Sequence, residues 1–113
     1  MDRLEQLMLL AEDIDWLETP NDSIFLRVFD WDDCVTAEDS FYLKIENEKI
    51  DIREACLEAL KAYYKLLSQG SNARLYVQAE KYEWNYEREL YPTGDFYGEE
   101  CMFSARDDLF DNV

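Results

Sequence analysis

The sequence has no histidine, only three glycines and two prolines in 113 residues, and 11 basic side chains against 27 acidic ones. Without imidazole there is no Ser-His-Asp or Cys-His nucleophile system, no histidine proton shuttle and no histidine-containing zinc site. Most familiar hydrolytic chemistry is therefore excluded. With so little glycine and proline, no low-complexity stretch and no internal repeat, no segment reads as a linker, and one domain is expected over residues 1–113. No run of about 18 apolar residues is present to span a bilayer. The opening Met1-Asp2-Arg3-Leu4-Glu5 lacks the cationic and apolar regions of a secretory leader, and Cys34, Cys56 and Cys101 leave at least one cysteine unpaired. A reducing, cytoplasmic setting is expected.

The scarcity of bases leaves a formal net charge of −16. Nucleic acids are bound by clustered Lys and Arg that release counterions, so this chain is expected to repel DNA and RNA, and anionic membranes with them. A supply of 48% hydrophobic and 15% aromatic residues separates it from disordered acidic tails, which are poor in both. The acid excess is uneven. Residues 1–33 carry ten acids and two bases, residues 34–73 seven and five, and residues 74–113 ten and four. Like charges crowded together oppose folding, so grouping at two ends of the chain points to a use for the field.

Periodicity gives the elements. Leu4, Leu7, Ala11 and Ile14, widened by Met8, Leu10 and Leu17, predict a helix over about Asp2 to Leu17, ended by Thr19-Pro20-Asn21-Asp22. Ser23–Trp31 reads as a strand with Ile24, Leu26 and Val28 on one face and Phe25, Phe29 and Trp31 on the other. Ser40–Ile45 reads as a second strand, returning through Glu46–Lys49 into a short extended Ile50–Ile52. A second helix follows, with Asp51 and Glu54 as a capping box, Ile52, Ala55, Cys56, Ala59, Tyr63, Leu66 and Leu67 as its stripe, and Gly70 after its end. From Arg74 the period returns to two, as Leu75, Val77, Ala79 and then, in opposite phase, Tyr82, Trp84, Tyr86. This slip near Glu80-Lys81 predicts a bulge in one long strand. Pro92-Thr93-Gly94-Asp95 reads as the turn into a return strand carrying Cys101, Phe103 and Ala105. The expected fold is α+β: a mainly antiparallel sheet of about four or five strands with two helices.

Three acidic groups are candidate partner-binding sites. In an extended strand Glu83, Glu87 and Glu89 share one face, with Trp84 and Tyr86 on the other. Alternate strand residues lie about 6.6–6.8 Å apart, of the same order as successive phosphates, so such a row can imitate a nucleic-acid backbone. The competing reading is a strand face that carries Glu because it meets water. On the first helix, Leu9 and Trp16 fall opposite the apolar stripe among Glu5, Glu12 and Asp13, the composition of a binding hot spot with a charged rim; the competing reading is a helix that ends before Trp16, or a Trp16 that tucks under the Thr19-Pro20 turn as core. The third group is Asp30, Asp32 and Asp33, followed by Glu38-Asp39. As a calcium loop it fails, since the sixth position is Val35 and the twelfth Phe41 where glycine and glutamate are required. No metal or cofactor is implied. The cysteines have no C-x-x-C spacing and none looks nucleophilic. Among eight tyrosines, Tyr82, Tyr86, Tyr91 and Tyr97 exceed what a core of this size needs, and some could line an interface.

These features imply a non-enzymatic inhibitor acting by contact. It would place carboxylates where phosphates sit in a positively charged nucleic-acid-binding protein or effector complex, and act in the host cytoplasm if phage-encoded. In size, charge and lack of chemistry the chain resembles in type the phage-encoded anti-CRISPR and anti-restriction DNA mimics, without a shared motif. The alternative is an immunity protein or antitoxin that plugs a cognate basic nuclease; it would concentrate its determinants in one acidic patch with an aromatic anchor. A metal-dependent nuclease built on Asp30, Asp32 and Asp33 would have to draw a polyanion to a −16 protein with no basic groove.

Overall fold

The computed structural model describes residues 2–13, 19–32, 39–45 and 48–106. The elements run α1 (Arg3–Glu12), β1 (Ser23–Asp30), β2 (Asp39–Lys44), α2 (Ile52–Ser68), β3 (Ala73–Trp84) and β4 (Leu90–Ser104). The strands form one antiparallel sheet in the order β2-β1-β3-β4, so the expected α+β class holds, with four strands and two helices among the described residues. Ile50–Asp51 is not a strand, because Asp51 is occupied as the N-cap of α2: its Oδ1 accepts from the Glu54 N–H at 3.2 Å.

The opposite end of α2 closes through glycine. The Ser71 N–H donates to Leu66 O at 3.1 Å and the Gly70 N–H to Leu67 O at 3.0 Å, with Gly70 at φ +77°. A Cβ added at Gly70 meets no atom within 4 Å, so Gly70→Ala imposes a conformational cost only. We expect Gly70→Ala to lower unfolding free energy by about 1 kcal/mol in urea titrations, the strain of a left-handed L-residue.

Strand alternation splits the sheet into two faces. Ile24, Leu26, Val28, Leu43, Leu75, Val77 and Ala79 point toward α2, where Ala55, Cys56, Ala59, Leu60 and Tyr63 complete the buried core. α2 packs on β1, β2 and β3, and α1 packs on α2. Arg3 at the start of α1 lies 5.8 Å from the Tyr64 ring centre and 5.1 Å from that of Phe103, and Glu12 at its end acts on Cys56, so α1 runs back along α2. Only Leu7 of α1 is fully buried, with Leu4, Met8 and Ala11 packed behind it. Leu10, assigned to the inward stripe by periodicity, is instead 40% exposed. Asp13 is the C-cap of α1, its N–H donating to Leu9 O at 3.2 Å, and the expected continuation from Ile14 to Leu17 lies outside the described residues.

On the opposite face, where neither helix packs, Phe25, Phe29 and Tyr76 form an aromatic layer stitched by two arginines. Arg74 stacks over Trp31 at 4.0 Å, and Arg27 lies 5.6 Å from Phe29 and 5.9 Å from Phe96 while donating to Gln78 Oε1 at 3.0 Å. This face is aromatic and partly cationic.

Candidate partner-binding surface

The hairpin β3–β4 outgrows the sheet. β1 begins at Ser23 opposite Glu80, whereas β3 continues to Trp84, so Lys81–Trp84 and their β4 partners project as a two-stranded arm. The protein is accordingly elongated, 54 × 32 × 20 Å. Ten steps along β3 match fourteen along β4, with register shifts at Leu75/Tyr76, Gln78/Ala79 and Glu80/Tyr82. The bulge expected near Glu80-Lys81 is present, but the additional residues belong to β4. Pro92–Asp95, expected to be a turn, lies inside β4 at this irregularity, where Gly94 takes φ +80° and its N–H donates to Glu80 Oε2 at 3.1 Å. The shift at Leu75/Tyr76 also separates Cys101 from Phe103: they face Tyr76 and Leu75, on opposite sides of the sheet, although sequence alternation put them on one side.

The base of the arm is clamped by Asp22, which is 1% exposed. Its Oδ1 accepts from the Tyr82 N–H at 3.2 Å and the Thr19 hydroxyl at 2.9 Å, and its Oδ2 accepts from the Tyr97 hydroxyl at 2.6 Å. Burial pushes the Asp22 carboxyl up, but the bonds from Tyr97, Tyr82 and Thr19 outweigh it and hold it below the ordinary carboxylate value. Tyr97, an interface candidate by count, thus serves the fold, and Asp22 was read in the sequence only as part of a turn.

The true turn is Asn85–Glu89. The Asn85 Oδ1 accepts from the backbone N–H groups of Glu87 and Glu89, both at 2.9 Å, the Asn85 N–H donates to Glu89 O at 2.9 Å, and Arg88 sits at φ +59°. The expected carboxylate ladder is therefore corrected. Glu83 is on β3, whereas Glu87 and Glu89 are in the turn, so the three are not evenly spaced along one strand face. All three remain exposed, as do Asp95, Glu99 and Glu100 on β4.

The tip also concentrates aromatic surface. Trp84, Tyr86 and Tyr91 are 55%, 106% and 40% exposed, and with Asn85 they line a recess of about 390 Å³. Glu83 stands at its rim, its Oε2 accepting from the Tyr91 hydroxyl at 3.1 Å. Hydrogen bonding to Glu83 and the charge of that carboxylate raise the Tyr91 phenol above its ordinary value. The signal for this site was Asn85 between two aromatics; period-two reading ran straight across it.

The other candidates are partly assembled. Glu5, Leu9 and Glu12 do share the outer face of α1, where with Met8 they line a depression of about 270 Å³, and Leu9 is 48% exposed. Asp13 is exposed beside them, while Trp16 lies outside the described residues. Asp30 and Asp32 form a local turn, the Asp30 Oδ1 accepting from the Asp32 N–H at 2.9 Å; Asp33 lies outside the described residues. Asp30 pairs with Ala73 at the start of β3, so the eleven steps to Trp84 set Asp30 and Asp32 about 36 Å from the arm tip. Glu12 and Asp13, by contrast, end α1 toward the arm.

Among the described residues no three Cys, Asp or Glu side chains are placed to hold a metal ion, and no helix is long and apolar enough to cross a membrane. Cys56 is buried on α2, where desolvation and the Glu12 carboxylate push its thiol up to about 11, leaving it unreactive at neutral pH. Cys101 is exposed on β4, and Cys34 lies outside the described residues. Comparison with protein-family models, with curated proteins and with solved structures gives no match in any of the three.

Proposed function

We propose that the protein is a small acidic inhibitor that binds a positively charged nucleic-acid-handling protein or complex in place of a phosphate backbone, as anti-CRISPR and anti-restriction proteins of phages do. It acts by contact in the cytoplasm, without catalysis, cofactor or direct binding of nucleic acid. The observation that carries this reading is the arm, whose outer end exposes Glu83, Glu87 and Glu89, with Asp95, Glu99 and Glu100 exposed along β4 below it and Arg88 the one base from Glu83 to Glu100. Carboxylates so presented attract a basic cleft over a Debye length and speed encounter.

A second reading, an immunity protein that plugs one basic nuclease, gains support from the tip itself, where acid and aromatic surface form a single patch. The two readings part at the target. Tagged protein is used to capture partners from a bacterial lysate at low salt, they are eluted by a salt step, and each is assayed for release of labelled nucleic acid on adding the acidic protein. Release, with affinity falling tenfold or more between about 50 mM and about 500 mM salt, supports phosphate mimicry. Affinity indifferent to salt rules it out. A captured nuclease toxin whose cleavage is blocked while its substrate stays bound identifies the second reading.

A further inference from the structure

We propose that the arm tip is the part of this protein that enters its partner, and that the recess between Trp84, Tyr86 and Tyr91 receives an arginine side chain of that partner. This rests on the reading of a basic partner and adds where, and through which chemistry, contact is made.

Three observations converge on the tip. Trp84, Tyr86 and Tyr91 lie exposed at the end of a ribbon that outgrows the sheet, so they can reach into a cleft that the body of the protein cannot enter. Water is a poor environment for so much aromatic surface, and the tip offers a recess bounded by rings. A guanidinium is planar, weakly hydrated and suited both to stacking on such rings and to donating N–H bonds to a carboxylate, whereas an ammonium is a compact, strongly hydrated point charge. Glu83 supplies that carboxylate at the rim, fixed by the Tyr91 hydroxyl at 3.1 Å, and Glu87 and Glu89 extend the negative field around the turn. Rigidity is built in. The double acceptance by Asn85 Oδ1 fixes the backbone of the turn and the Asp22 clamp fixes the base of the arm, so less backbone entropy is lost when a ligand binds. A second copy of this chain is the wrong occupant, since it brings another −16 charge to the contact.

The test uses oligoarginine and oligolysine peptides of equal length as probes for the intact protein, with backbone amide NMR as the readout. A patch that works by charge alone binds both peptides alike. The tip should prefer oligoarginine by about fivefold, with the largest shifts over Trp84–Tyr91. Trp84→Ser/Tyr86→Ser should weaken oligoarginine binding by about tenfold and abolish the preference, with an unchanged far-ultraviolet circular dichroism spectrum. Tyr86→Ser alone, at a fully exposed position, supplies a variant whose fold is not at risk and should lose part of the preference. Equal binding of the two peptides, a preference that survives both substitutions, or shifts centred on Glu5–Glu12 overturns the tip assignment and leaves the basic-partner reading standing. If neither peptide binds at low salt, that reading fails and the tip assignment falls with it. Self-association lost on Trp84→Ser/Tyr86→Ser makes the occupant a second copy and overturns the proposal.

Discussion

Replacing Asp22 with alanine will lower unfolding free energy by about 3 kcal/mol, since removing a charged acceptor strands its donors in a buried site. Asp22 is 1% exposed and receives hydrogen bonds from the Tyr97 hydroxyl, the Tyr82 N–H and the Thr19 hydroxyl. Those partners come from the approach to β1, from β3 and from β4, so the loss releases the base of the arm as well as the start of the sheet. Tyr97→Phe removes one donor and should cost about half as much. The two changes share one interaction, and the double variant should fall short of their sum. The dependence on pH has a definite sign. Because the folded carboxyl is held below its ordinary value, its contribution is complete above the unfolded carboxylate pKa and is lost as pH falls through the lowered one. Urea unfolding at pH 7 should therefore show the full gap between the protein and Asp22→Asn, and in the window below about pH 4 that gap should narrow. A gap that widens in acid would show that Asp22 does not act as a carboxylate acceptor.

Reversing the arm, Glu83→Lys, Glu87→Lys and Glu89→Lys together, will weaken binding to the basic partner by about a hundredfold at low salt while leaving the fold intact. Each substitution moves the charge by two, from −16 to −10 in total, and turns the tip from an attractive to a repulsive surface for lysine and arginine. All three side chains are exposed, and relief of like-charge crowding should keep or raise the midpoint of thermal unfolding. Displacement of labelled nucleic acid from the captured partner is the measurement. Glu5→Lys/Glu12→Lys on α1 is the comparison, since those two flank Leu9 on a separate helix. Full displacement by the reversed arm would make its carboxylates a wetted strand end, and a larger loss from the α1 pair would place the contact on the helix.

The hydrophobic periods were reliable on α2 and β1, where a single face meets the core, and less so on α1, where Leu10 turns outward. The α2 stripe from Ile52 to Leu67 and the alternation of Ile24, Leu26 and Val28 are reproduced in the packing, because each reports only which way neighbouring side chains point. They failed where turn chemistry interrupted them. Alternation through Trp84 and Tyr86 continued a strand past Asn85, whose carbonyl in fact gathers two backbone N–H groups into a turn. Proline and glycine at 92–95 then drew the expected turn to a place where β4 instead absorbs additional residues. The three-carboxylate ladder was lost for that reason, while Glu83 reappears beside Tyr91 at the aromatic tip and Glu87 and Glu89 in the turn.

The sequence by itself determined the class of fold, the presence of two helices, the caps of α2, the core faces of α2 and β1 and the large acid excess, because composition, capping and periodicity act within a few residues. Only the tertiary structure decided the strand order β2-β1-β3-β4, the aromatic and arginine layer away from the helices, the reach of the arm and the role of Asp22. The physical reason is separation along the chain. Asp22 finds its donors 60 and 75 residues away, and Arg27 finds Gln78 at a separation of 51, bonds that no local pattern encodes.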